Sequence, residues 1–430
     1  MSKKFQLLII IIFIAGIGLR FVSFSWNTIV HGDVGQYVVA AEAFAHGGNF
    51  LIDTATDKPH FYSLQMTGGR FLEHNPLWPF IGGIFIKISG FDGYTALKVL
   101  SLLSGTAVLY LVFLLGCRLG GDRVAVLSLF FTAFSYLLID YSGNGAFYIF
   151  QALLYLIFVL LITDTGRSRE QIALGAVMGI GILLNQQTLV LIAAYIAYRL
   201  ITMRGSYRAA IRAIIFGIAI LILFYLPWGI RNYMLFGTPF SMVDTAYVWS
   251  KLGADRIVEN NIISFRITWR TYGILLWREI TFWFPHNLYF LNRQFFVLAP
   301  VVYMAALFAV ASILFKDMRE KLKPLLSLIL VLGFHLALSS AWPIAKFRYI
   351  VPVLPLVFIL GSYYMIHMIP GTRLRRLALV TSMVGIVVVS LLTYVSTPTH
   401  TYYYGGSITT DNFGKSGEVE FLKSLNNPEE

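Results

Sequence analysis

Asp33 is an isolated carboxylate in the stretch His31-Gly-Asp33-Val-Gly-Gln36-Tyr37, just beyond the first long apolar segment. A carboxylate held beside a hydroxyl or an amine takes its proton as that group attacks an electrophile. Gln36 follows three residues later, so the same carboxylate also fits the cap of a helix starting there. Spacing alone leaves base and cap both open. Glu73, Asp53 and Asp57 fall in the same polar stretch, and nothing pairs any of them with Asp33. His31, His60 and His74 share it at spacings that match no standard ligand motif. A divalent metal can be drawn among them but is not indicated, and no cofactor is expected.

Four cations are placed to meet an anion. Arg348, with Lys346 beside it, heads a late apolar segment, and the planar fork of an arginine suits two oxygens of one phosphate. Arg231 stands in Trp228-Gly-Ile-Arg-Asn232, and Arg20 lies near the end of the first apolar segment. A charge inside a membrane segment is a functional suspect, although each of these side chains also suits snorkelling toward lipid headgroups. Asn144 and Gln186 fall where helices should end, and serve either as sugar-binding amides or as helix terminators. There is no P-loop and no dinucleotide fingerprint, hence no positive sign of a nucleotide-sugar donor.

The elements that must position these groups are membrane helices. The 430 residues are 57% hydrophobic and only 13% charged, with a mean hydropathy of +0.73. Soluble chains carry roughly a quarter charged residues. Basic clusters at Lys3-Lys4, Arg118 to Arg123, Arg167 to Arg169, Arg199 to Arg212, Lys316 to Lys323 and Arg373 to Arg376 punctuate the apolar segments. Such clusters mark cytoplasmic loops. The net charge of +12 therefore points to topology and not to nucleic acid. Inside-face placement accounts for about half of the basic residues; the others need another explanation. Cys117 is the only cysteine, which excludes intramolecular disulfides and thiolate metal clusters.

Spans of about twenty apolar residues are expected at 5–25, 94–117, 123–141, 145–163, 170–187, 188–203, 209–228, 294–315, 324–341, 350–369 and 376–396. An all-α polytopic protein of about eleven transmembrane helices follows. Its N-terminus is expected inside and its tail (397–430) outside a cytoplasmic or inner membrane. Lys3-Lys4 and the apolar run after it also resemble a secretory signal, but an uncleaved first span is expected. Two long outer segments, 26–93 and 229–293, complete a single transmembrane domain over 1–396. The first should hold a helix from Asp33 with Tyr37, Ala40, Ala41 and Phe44 on one face, then an interfacial helix over 76–90. The second is rich in Trp and Arg, as suits headgroup level.

Four stretches resemble the type-C glycosyltransferases, in particular the protein O-mannosyltransferases and the lipid A aminoarabinose transferase. They are HGDVGQYVVAAEAFAHGG (31–48), HNPLWPFIGGIFIKISG (74–90), LPWGIRNYMLFGTPF (226–240) and KFRYIVPVLPLVF (346–358). The resemblance implies transfer of a sugar from a polyprenyl-phosphate carrier to a lipid, glycan or protein acceptor on the outer face. It casts Asp33 as general base, and Arg348, Lys346, Arg231 and Arg20 as donor-phosphate contacts. His31, Tyr37, Glu73, His74, Asn144 and Gln186 become substrate contacts. The chain departs from the family pattern in two places. Val34 replaces a second acid after Asp33, and the amides of Asn144 and Gln186 or Gln187 stand where members carry an Asp and a Lys.

A phosphate leaving group needs no general acid, so one base and fixed positive charge suffice for an inverting displacement. A retaining route would want a second carboxylate about 5 Å away. Two other readings stay open: a transporter or lipid flippase, and a scaffold of this fold without catalysis. The Pro-rich stretch at 350–358 has no counterpart in the first half, unlike the matched halves of many transporters.

Overall fold

The computed structural model describes residues 3–27, 32–47, 75–163, 168–203, 206–236, 255–259, 262–266, 277, 281, 284–314, 320–341 and 347–396. His31, Glu73, His74 and Lys346 lie outside these residues, as do the tail 397–430 and most of 237–283.

The first half comprises α1 (Lys3–Trp26), α2 (Gly32–Gly47), α3 (Leu77–Ser89), α4 (Gly93–Gly120), α5 (Asp122–Phe134), α6 (Tyr136–Tyr141) and α7 (Tyr148–Ile162). It continues through α8 (Ser168–Leu184), a 3-10 turn at Gln186–Thr188, α9 (Leu189–Thr202) and α10 (Tyr207–Phe236). The second half holds α11 (Phe284–Leu298), α12 (Pro300–Ala311), α13 (Leu326–Ala341), a 3-10 turn at Phe347–Ile350, α14 (Leu354–His367) and α15 (Thr372–Ser396).

Hydrophobicity all round a helix buries it, whereas one apolar face toward lipid leaves it at the rim. The most apolar stretch of α4 is 50% buried inside the protein, against 22% for those of α10 and α15. α14 is buried along nearly its whole length. Lipid-facing side chains such as Ile11, Ile14, Ile215, Leu223, Leu377 and Leu391 are exposed on α1, α10 and α15. This is a multi-pass membrane protein.

The expected apolar segments are helical, but not as eleven unbroken spans. Helices from Phe5–Trp26, Gly93–Gly120, Tyr207–Met234, Glu320–Ala341 and Thr372–Thr393 are long and apolar enough to cross a bilayer; several others are shorter. Segment 123–141 divides at Ser135, whose backbone is extended. The freed groups are satisfied by Ser390 of α15, whose hydroxyl accepts from the Tyr136 amide at 3.0 Å and donates to the Phe134 carbonyl at 2.6 Å. Segment 294–315 breaks at Ala299, because the ring of Pro300 disfavours helical backbone in the residue before it. α11 begins at Phe284, within what was expected as an outer loop, and α10 extends past residue 228 to Phe236. The all-α expectation also needs one correction. β1 (Asp255–Glu259) and β2 (Ile262–Arg266) form an antiparallel hairpin in register Asp255↔Arg266 to Glu259↔Ile262.

Candidate active site

α2 begins at Gly32, which sets Asp33 inside the first helical turn and not at the cap position. The face of α2 that carries Tyr37, Ala40 and Ala41 is buried, as expected. α2 lies against α3 so closely that a Cβ on Gly83 would sit 2.8 Å from the Ala41 carbonyl and 2.7 Å from the Phe44 ring. Glycines 82 and 83 therefore serve helix contact.

The loop from Ser142 to Phe147 is the hub around which the site assembles. The Ser101 hydroxyl donates to the Ala146 carbonyl at 3.1 Å, and the Trp78 indole donates to the Gly145 carbonyl at 2.9 Å. Gly145 has φ 83°, a backbone conformation that favours glycine. A Cβ there would lie 3.3 Å from Val34, next to Asp33, and 3.6 Å from Lys98. Asn144, fully buried, shapes this loop through its side-chain oxygen, which accepts from the Ala146 amide at 3.0 Å.

Two buried ionisable residues that the sequence reading passed over meet at this hub. Asp140 is 3% exposed and Lys98 8%. Asn27 links them: its carbonyl accepts from Lys98 Nζ at 2.7 Å, and its amide nitrogen donates to Asp140 Oδ1 at 3.3 Å. The ammonium also sits 4.4 Å from the Phe24 ring centroid and 5.1 Å from that of Tyr94. Their sequence signal was present. A lone Asp in Leu-Leu-Ile-Asp140 and a lone Lys in Ala-Leu-Lys98-Val are charges in otherwise apolar helices.

An aromatic chain leads from the Asp33 helix to Arg348. Tyr37 meets Phe147 edge-on at 5.6 Å, and Phe147 stacks on Tyr148 at 4.2 Å. The guanidinium carbon of Arg348 lies 5.5 Å from the Tyr148 centroid. Tyr349, next to Arg348 in sequence, is held through its carbonyl by His335 of α13. Its Nε2 lies 2.6 Å from the Tyr349 carbonyl, which can only accept, so Nε2 donates. Nδ1 is left to accept from the Tyr155 hydroxyl at 3.1 Å, and that oxygen accepts from Gln151 at 3.2 Å. The Gln187 carbonyl is 3.2 Å from the same hydroxyl. Gln186, half-buried, shares a 3-10 turn with Gln187.

Arg20 adjoins the start of the same loop: a Cβ on Gly105 would lie 2.6 Å from Ser142 Cβ and 3.2 Å from Arg20 Nε. Arg20 is fully buried; it donates to the Gly16 carbonyl at 2.9 Å and to the Thr132 carbonyl at 3.1 Å, joining α1 to α5. Arg231 lies over the Trp228 ring at 4.2 Å and donates to Asn232 at 2.9 Å near the end of α10. Among the described residues, no group of three or more His, Cys, Asp or Glu side chains is arranged to hold a metal.

The fold is that of the type-C membrane glycosyltransferases. ArnT from Cupriavidus metallidurans, bound to undecaprenyl phosphate, aligns with a TM-score of 0.57 at 15% identity, over 90% of this chain and 64% of its own. The archaeal oligosaccharyltransferase AglB from Archaeoglobus fulgidus, in complex with an inhibitory peptide and a dolichol-phosphate, gives 0.58 at 12% identity, over 94% and 56%. The chain thus spans less than two thirds of either protein. No curated protein matches the sequence. Residues 73–230 match the dolichyl-phosphate-mannose-protein mannosyltransferase family. That segment is less than half of the chain, and over it the sequence is similar to the family that its motifs resemble.

Proposed function

We propose that this protein is an integral membrane glycosyltransferase that moves a sugar from a polyprenyl-phosphate donor to an acceptor on the outer face. Asp33 deprotonates the acceptor, and Arg348, with Lys346 beside it, holds the donor phosphate as charge develops on it. The displacement is single and inverting. The observation that carries the reading is the Tyr37–Phe147–Tyr148–Arg348 chain, which joins two regions more than three hundred residues apart around one loop.

Asp140 and Lys98 supply a buried acid and a buried amine beside that loop. Their presence favours an enzyme over a scaffold that has lost its charged groups. The neighbours in the fold, whose structures hold undecaprenyl phosphate and dolichol-phosphate, support a lipid-phosphate carrier here too. His31, Tyr37, Glu73, His74 and Gln186 remain the proposed contacts for sugar and acceptor. Asn144 belongs to the loop's own framework as well.

The deciding assay uses the protein in detergent or proteoliposomes with a series of polyprenyl-phosphate sugars and follows release of free polyprenyl phosphate. Sugar-dependent release that disappears in Asp33→Asn supports the enzyme. Donor binding with no turnover across the series would return the scaffold reading, and transbilayer movement of an intact donor would return the flippase.

A further inference from the structure

At the opposite end of the bundle, Arg199 presents an anomaly. It is 2% exposed, and its Nε and Nη2 atoms are buried with no hydrogen-bond partner among the described residues. Those two nitrogens form the side-on edge of the guanidinium, the fork that donates to two oxygens of one phosphate. Tyr195 lies beneath it, with the guanidinium carbon 5.2 Å from the ring centroid. Tyr195 is itself fixed, donating to the Ala213 carbonyl of α10 at 2.7 Å. An uncompensated buried charge in a membrane protein is strongly destabilising, so this fork calls for an anion.

Its neighbourhood is basic. Arg118, at the end of α4, and Arg199 both lie within electrostatic reach of the Tyr198 hydroxyl. Arg204, Arg208 and Arg212 follow in sequence without an acid among them. Leu200 and Ile201, next to Arg199, are exposed apolar side chains at the helix rim. Lipid therefore reaches this corner. α4 carries Lys98 at the active-site end and Arg118 about 30 Å away at 1.5 Å per residue, so the two sites are separate.

We propose that Arg199, with Arg118 and the Tyr198 hydroxyl, binds the phosphate of an anionic membrane lipid in the leaflet opposite the active site. Basic pockets between helices at the cytoplasmic side recognise anionic headgroups by this chemistry.

The test reconstitutes the full chain in phosphatidylcholine vesicles containing phosphatidylglycerol, extracts it in detergent, and measures the retained lipids by mass spectrometry. Wild-type protein should retain phosphatidylglycerol preferentially, and R199Q and R118Q should each lower that preference about fivefold or more. Arg118 is exposed, so R118Q carries the test if R199Q fails to accumulate. A parallel arm titrates inorganic phosphate into delipidated protein and follows Tm. An Arg199-dependent rise without lipid preference keeps the anion site and assigns it to soluble phosphate. Equal lipid ratios in wild type and both variants, with no phosphate-dependent rise, overturn the site. No readout involves sugar transfer, so failure of the glycosyltransferase reading would leave the result intact.

Discussion

The Arg348 guanidinium lies 5.5 Å from the centre of the Tyr148 ring, at the N-terminus of α7. Tyr148 in turn stacks on Phe147 and meets Tyr141 edge-on, so a cation from late in the chain rests on a rigid aromatic shelf. Such a contact contributes about 0.5–2 kcal/mol. Its larger effect is to fix where the charge points. Arg348→Ala should raise the KM for donor about 10- to 100-fold, the loss of one charge-assisted hydrogen bond. The acceptor KM should change far less. Tyr148→Leu should show the same pattern at about two- to fivefold. Steady-state kinetics with each substrate varied in turn checks both, and equal effects on the two substrates would remove Arg348 from the donor site.

Asp33→Asn should lower kcat by about 10²–10⁴ if the carboxylate accepts the acceptor's proton. Asn retains the size and much of the helix-start preference of Asp, so Tm and donor binding should stay near wild type. Retained turnover in this variant would make Asp33 a structural residue.

His335 is a positioning residue for Arg348, acting through the Tyr349 carbonyl. His335→Leu should cost about 1–3 kcal/mol of stability, since it leaves buried partners unsatisfied. It should also raise donor KM more than it lowers kcat. Tyr155→Phe removes the next link, and the double variant should be less than additive in donor KM, as expected for residues in one network. Additive effects would separate His335 from Tyr155.

Asp140 and Lys98 both bond to Asn27, one through its side chain and the other through its carbonyl. Asp140→Leu should lower thermal stability by about 1–3 kcal/mol, because the buried Asn27 amide keeps its bond to Ser23 but loses the one to Asp140. Asp140→Asn keeps an acceptor oxygen for that amide and should recover most of the stability. If activity in Asp140→Asn stays low after stability has returned, the charge itself serves the reaction.

Gly83→Val places a branched side chain against the Ala41 carbonyl and the Phe44 ring. Overpacking of this kind costs about 1–3 kcal/mol. Because α2 carries Asp33, activity should fall along with Tm. Gly90→Ala, where a Cβ meets open space but φ is 71°, should lower stability only and leave kcat unchanged.

Composition and the rhythm of basic clusters determined that this chain is a bundle of membrane helices, because a bilayer demands apolar length and tolerates charge only between spans. The face of α2 and the helix after Pro76 were legible for the same local reason: periodicity and turn residues act within a few positions. Packing decided the rest. The break at Ser135 depends on a hydroxyl from Ser390, which lies 254 residues after its partner Tyr136. Asp140 and Lys98 converge from two helices on Asn27, just past the end of α1, and Arg348 finds Tyr148 across two hundred residues of chain. No local pattern encodes such pairings, since a buried charge is stable only beside partners that the whole fold brings to it.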